Sequence, residues 1–100
     1  MDINKLMQQA QAMQKQIEDT TNAINEKEFE AEASNGLVKI TINGEYTVLN
    51  IDIDPSIIVA EDKDILQDLI MIAFNNAKEK VDECKKEQLG SMASALNLPF

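Results

Sequence analysis

Histidine, arginine and tryptophan are missing from this 100-residue sequence, and cysteine and tyrosine occur once each. Without histidine, no side chain has an ordinary pKa suited to general base work near neutrality, and no imidazole can ligate a metal. Without arginine there is no guanidinium fork for bidentate reading of guanine. Cys84 alone closes no intramolecular disulfide, which suits a reducing compartment. Three scattered glycines cannot build a phosphate-cradling loop. The longest apolar run, Leu69 to Phe74, is far short of the about 18 residues of a membrane span. The opening MDINKLMQQA has no apolar signal-peptide core and carries an acid at position 2. The expectation is a cytoplasmic chain with no membrane contact, cofactor, metal or catalytic centre.

What is present is a globular composition, 44% hydrophobic but only 4% aromatic, so the core must be aliphatic. The net charge of −9 is concentrated in the middle, where residues 28–68 hold ten acids against Lys39 and Lys63, while both ends are nearly neutral.

From Asp2 to about Lys27 the pattern is helical. Ile3, Leu6, Ala10, Met13, Ile17, Thr20 and Ile24 step by threes and fours along a narrow apolar seam, and Asp2 can cap the first turn. The period then becomes two. Phe29, Ala31 and Ala33 alternate with acids, Ser34–Gly36 turns the chain, and Val38, Ile40 and Ile42 alternate with Lys39 and Thr41. Asn43-Gly44 is a strong hairpin signal, because both turn residues tolerate positive φ. Leu49, Ile51 and Ile53 complete a three-stranded antiparallel meander over 28–54, which Asp54-Pro55-Ser56 stops. A second helix is predicted over 62–88, apolar at Ile65, Leu66, Leu69, Ile70, Ala73, Ala77, Val81 and Cys84, with Gly90 as its stop and 89–100 as a loosely ordered tail. The fold class is α+β, helix–strand–strand–strand–helix, in a single domain over 1–100.

Two helices of about 26 residues would each be about 39 Å long, whereas a compact 100-residue globule is roughly 35 Å across. The helices must therefore project from the body or run against something outside it. A three-stranded sheet also has two unpaired edges. Self-association as a two-fold homodimer relieves both problems.

The groups that could carry chemistry have plainer roles. Asp52 and Asp54 read as a solvated strand face and an Asx turn; Glu61–Asp64 as complement to a helix dipole; Cys84 as a small buried hydrophobe. Lysines remain on both helices: Lys5 and Lys15 outside the seam, Lys78 and Lys85 seven apart, Lys80 and Lys86 nearby. Helical spacing allows Lys78 to pair with Asp82, and Lys86 with Asp82 or Glu83.

The stretches GLVKITINGEYTVLNIDIDPSI and DKDILQDLIMIAFNNAKEKVDE, with KLMQQAQAMQKQI before them and LPF at the end, closely resemble the YbaB/EbfC family of bacterial nucleoid-associated proteins. The similarity covers nearly the whole chain and lies in the order and spacing of its motifs, none of them catalytic. The resemblance implies an α-β-β-β-α protomer and a homodimer whose sheets form the body and whose paired helices stand out like tweezers. It also implies non-catalytic binding of double-stranded DNA through basic residues on the arms. Here those would be Lys5, Lys15, Lys78, Lys80, Lys85 and Lys86 as point charges to phosphate, with Gln8 and Gln11 as neutral donors. The rival reading, favoured by the acidic charge, is a dimeric protein-interaction module acting with DNA replication or repair proteins.

Overall fold

The computed structural model describes residues 2–95, with side chains described to Ser91. The elements run α1 (Ile3–Glu26), β1 (Glu28–Ala33), β2 (Val38–Asn43), β3 (Val48–Ile53), two 3-10 turns (Pro55–Ile57 and Ala60–Asp62) and α2 (Lys63–Ala95). Asp2 caps α1 as its residue type requires: the Asn4 N–H donates to its carboxylate at 3.0 Å. At the other end Lys27 turns extended, and its N–H donates to Ala23 and Ile24 carbonyls.

The sheet is antiparallel in the order β1-β2-β3. Its inner face carries Phe29, Ala31 and Ala33 beside Val38, Ile40 and Ile42, all buried. α2 lies across β1 and β2 through Leu69, Ala73, Ala77 and Val81, one residue per turn. The two alanines let the helix axis come close to the sheet, and Ala73, Ala77 and Val81 are fully buried. Each large aliphatic side chain sealed here contributes about 1.5–3 kcal/mol. The outer face is polar, with Glu28, Glu30 and Glu32 on β1 and the row Glu32–Lys39–Asp52 crossing all three strands.

The molecule measures 71 × 21 × 16 Å with a radius of gyration of 19.5 Å. A compact chain of this size would have a radius of gyration near 13 Å, so the helices do project from the sheet. A 33-residue helix is about 50 Å long, so neither helix spans the molecule alone. Thr20 and Ile24 of α1 flank Cys84 and Gln88 of α2 where the helices run side by side. The α1 seam follows this gradient. Ile24 is buried, Met13, Ile17 and Thr20 are half-buried, and Ile3, Leu6 and Ala10 are exposed.

Three local expectations are corrected. Asn43 and Gly44 do not take positive φ; the left-handed residue is Tyr46, at φ 65°. The loop is a three-residue hairpin in which the Tyr46 N–H donates to the Asn43 carbonyl, the Asn43 N–H donates to the Thr47 carbonyl, and the Asn43 side-chain oxygen accepts from Glu45 and Thr47. Glycine is needed at 44 for space. A Cβ there would lie 2.0 Å from the Ile24 carbonyl oxygen, and the Gly44 N–H donates to Asn25 at the end of α1. Second, a bulge opposite Thr41 and Ile42 leaves Leu49 unpaired, so Val48 instead of Leu49 stands across from Ile42. Third, Gly90 does not stop α2, which continues to Ala95. Gly90 keeps a helical φ among good helix formers, where glycine costs only about 1 kcal/mol. The remainder of the expected tail, residues 96–100, lies outside the described residues.

Candidate nucleic-acid interface

On α1 the spacing of Lys5, Gln8, Gln11 and Lys15 puts them within about 120° of arc, opposite the apolar seam. All four are exposed, and none forms a side-chain hydrogen bond or ion pair among the described residues. Their freedom follows from α1 itself, whose first half stands clear of the sheet.

The α2 lysines are divided by the core stripe. Lys80 leaves α2 on the β1 side and its ammonium donates to the Glu30 carbonyl at 2.6 Å, while Asn76, one turn earlier, donates to the Glu32 carbonyl at 3.2 Å. Both carbonyls belong to an edge strand. Lys78 and Lys85 leave on the opposite flank, over the β2–β3 hairpin. The Lys78 ammonium lies 3.4 Å from the Asp82 carboxylate, and the Lys85 ammonium lies 4.4 Å from the centre of the Tyr46 ring and 3.4 Å from its hydroxyl. The Tyr46 hydroxyl donates to the other Asp82 oxygen. Lys86 is exposed and makes no ion pair with Asp82 or Glu83 among the described residues.

The Asp82 cluster is electrostatically self-consistent. The Tyr46 hydroxyl, aided by the Lys78 and Lys85 charges, holds the Asp82 carboxyl below its ordinary value of 3.8. Donation to Asp82 raises the Tyr46 phenol above its ordinary 10.0, with slight desolvation and the Asp82 charge acting in the same sense. Asp54 behaves as an Asx turn should: the Ser56 N–H donates to it at 2.8 Å, and hydrogen bonding to Ser56 lowers its pKa.

The lysines expected to act together thus fall into three settings: free on α1 and at Lys86, bound to the β1 edge at Lys80, and bound in the hairpin cluster at Lys78 and Lys85. Helical spacing foresaw the Lys78–Asp82 pair. Tyr46 and Asn76 were missed because each contact spans 36 or more residues in sequence. A lone tyrosine two residues beyond Asn-Gly was the available clue. Among the described residues no group of histidine, cysteine or acid side chains could hold a metal, and no helix is long and apolar enough to cross a membrane.

The fold is a helix–meander–helix chain with lysines on both helices. The family model for the YbaB/EbfC DNA-binding family matches residues 1–96, and the chain belongs to that family. The fold is also similar to the crystal structure of uncharacterized protein HP0035 from Helicobacter pylori, at a TM-score of 0.77 and 25% identity, over 92% of this chain and 97% of that one.

Proposed function

We propose that this protein is a nucleoid-associated, cytoplasmic protein whose homodimer binds double-stranded DNA with little sequence preference. The observation that carries the dimer is the bare half of the sheet. α2 leaves β3 largely uncovered, and Val48, Leu49 and Ile51 are 43–48% exposed. Ile58 and Val59 in the connector and Ile65 and Ile72 at the start of α2 are exposed as well. Apolar exposure on this scale in so small a chain suits coverage by a second copy, which would also close the β3 edge.

DNA binding is supported by the family and by the arm lysines. Lys5, Lys15 and Lys86 are free to meet phosphate, with Gln8 and Gln11 beside the first two, whereas Lys78, Lys80 and Lys85 must first leave a partner. With no arginine, each contact is a point charge to the backbone, and sequence is not read. The −9 charge of each chain opposes approach. At 0.15 M salt the screening length is about 8 Å, so acids on the sheet act only weakly on phosphate near the arm tips. Affinity should lie in the non-specific range of about 10⁻⁴–10⁻⁶ M.

Gel-shift titration against salt tests this reading. Replacing Lys5 and Lys15, or Lys78 and Lys85, should flatten the log–log salt dependence by about 0.9 for each phosphate no longer neutralised. An unchanged slope in every variant would remove the arms from the interface. The second reading, a dimeric module acting with replication or repair proteins, draws on the exposed acids Glu28, Glu30 and Glu32 on the outer sheet face. Pull-downs before and after nuclease treatment separate the two, because only a DNA-bridged partner disappears with the nucleic acid.

A further inference from the structure

We propose that Asp82 and Tyr46 compete with duplex phosphate for Lys78 and Lys85, making Asp82 a built-in counterion that weakens the grip of the arm. This inference rests on the DNA-binding reading and adds an interaction that restrains it.

The geometry is specific to one end of the sheet. The three-residue hairpin loop is fixed from two sides: Gly44 donates to the end of α1, and Tyr46, held at φ 65°, carries its hydroxyl across to Asp82 on α2. A bulky side chain in the left-handed region is uncommon and needs surrounding structure to keep it there. One Asp82 oxygen is thereby occupied by Tyr46, and the other stands 3.4 Å from the Lys78 ammonium. Lys85 is held by the same phenol, through its ring face and its oxygen. Two cations seven residues apart on α2 thus meet one fixed anion and one fixed ring.

The cluster is also open to exchange. The Lys78 and Asp82 side chains are 53% and 48% exposed, so a phosphate can replace the carboxylate without rearranging the core. Exposed pairs of this kind are weak, so release of the lysines changes affinity by a small factor and does not switch binding on or off. Lys80 differs: its partner is a backbone carbonyl that would otherwise be an unpaired edge acceptor, so its role is structural.

The test compares Asp82→Asn with Glu79→Gln, which removes one negative charge from the same stretch of α2 at a position forming no ion pair among the described residues. Competition predicts that Asp82→Asn tightens binding to a random-sequence duplex about two- to five-fold beyond Glu79→Gln. The extra gain should vanish when Lys78 and Lys85 are both alanine, as a double-mutant cycle requires. A DNA-free measurement checks the cluster itself. Tyr46 is the only tyrosine and there is no tryptophan, so ultraviolet absorbance follows its phenol alone. Its raised titration should fall back toward 10.0 in Asp82→Asn.

Equal gains from the two substitutions, or a gain that survives removal of both lysines, would overturn the competition and leave the DNA reading standing. An unmoved Tyr46 titration would show that the cluster does not form in solution and would overturn it as well. If neither the parent nor any variant retains duplex at low salt, the DNA reading fails and this inference falls with it.

Discussion

The two edge strands of the sheet are treated in opposite ways. β1 is sealed: α2 lies over its inner face, and Asn76 and Lys80 donate to the outward carbonyls of Glu32 and Glu30. β3 is bare: Val48, Leu49 and Ile51 are exposed, no large element among the described residues covers them, and exposed apolar side chains continue into Ile58, Val59 and the start of α2. An unpaired strand edge is a template for further pairing, and proteins block the edges that must stay free. The blocked edge here is the one beside α2. The contrast supports the proposal that a second copy covers the β3 side and not the β1 side.

That difference is most open to attack at β3. Ile51→Lys would put an ammonium into the proposed interface between copies and should weaken association by about 100-fold or more, as removal of a central anchor worth about 2 kcal/mol upward implies. Glu30→Lys on the outer face of β1 should leave the association state unchanged. Sedimentation of the two variants side by side reads both outcomes.

Next in size is the joint on which both halves depend. Gly44→Ala places a methyl against the Ile24 carbonyl, so either α1 or the hairpin must shift. Urea unfolding should show a fall in stability of about 1–3 kcal/mol. Asn76→Ala combined with Lys80→Ala unblocks β1. Each hydrogen bond removed should cost about 0.5–1.5 kcal/mol, and light scattering should reveal concentration-dependent aggregation that the parent lacks.

The smallest effect is a pH window set by Tyr46 and Asp82. The Asp82 carboxyl is depressed below 3.8, so its contribution is present above 3.8 and is lost as pH falls through its own lower value. The Tyr46 phenol is raised above 10.0, so its contribution is present below 10.0 and is lost as pH rises through its folded value. Tyr46→Phe should therefore lower stability slightly between those limits and make no difference beyond them, as thermal melts across the range would show.

Much of the fold was legible in the sequence because it rests on local periodicity. The seam from Ile3 to Ile24, the alternation from Phe29 to Ile42 and the Leu69–Ala73–Ala77–Val81 stripe each report one face turned toward a neighbour. The overlong helices announced the 71 Å shape. The misses lie where distant elements decide the outcome. Gly44 looked like a positive-φ turn residue, but it is small because α1 ends against it, and that neighbour is invisible in the local pattern. Leu49 continued the alternation on paper until the bulge put Val48 in its place. Gly90 carried a stop signal that an ordinary helical φ overrode. At the candidate interface, residue type and helical spacing found the lysines but not their division. Whether a lysine is free depended on β1 for Lys80 and on Tyr46 for Lys85.

The central claim is that the bare β3 half is filled by an identical chain, leaving both pairs of arms directed outward. Sedimentation equilibrium of the unmodified protein at micromolar concentration tests it most directly. A filled β3 face predicts a single species of about twice 11.2 kDa. A stable 11.2 kDa species under those conditions would contradict it.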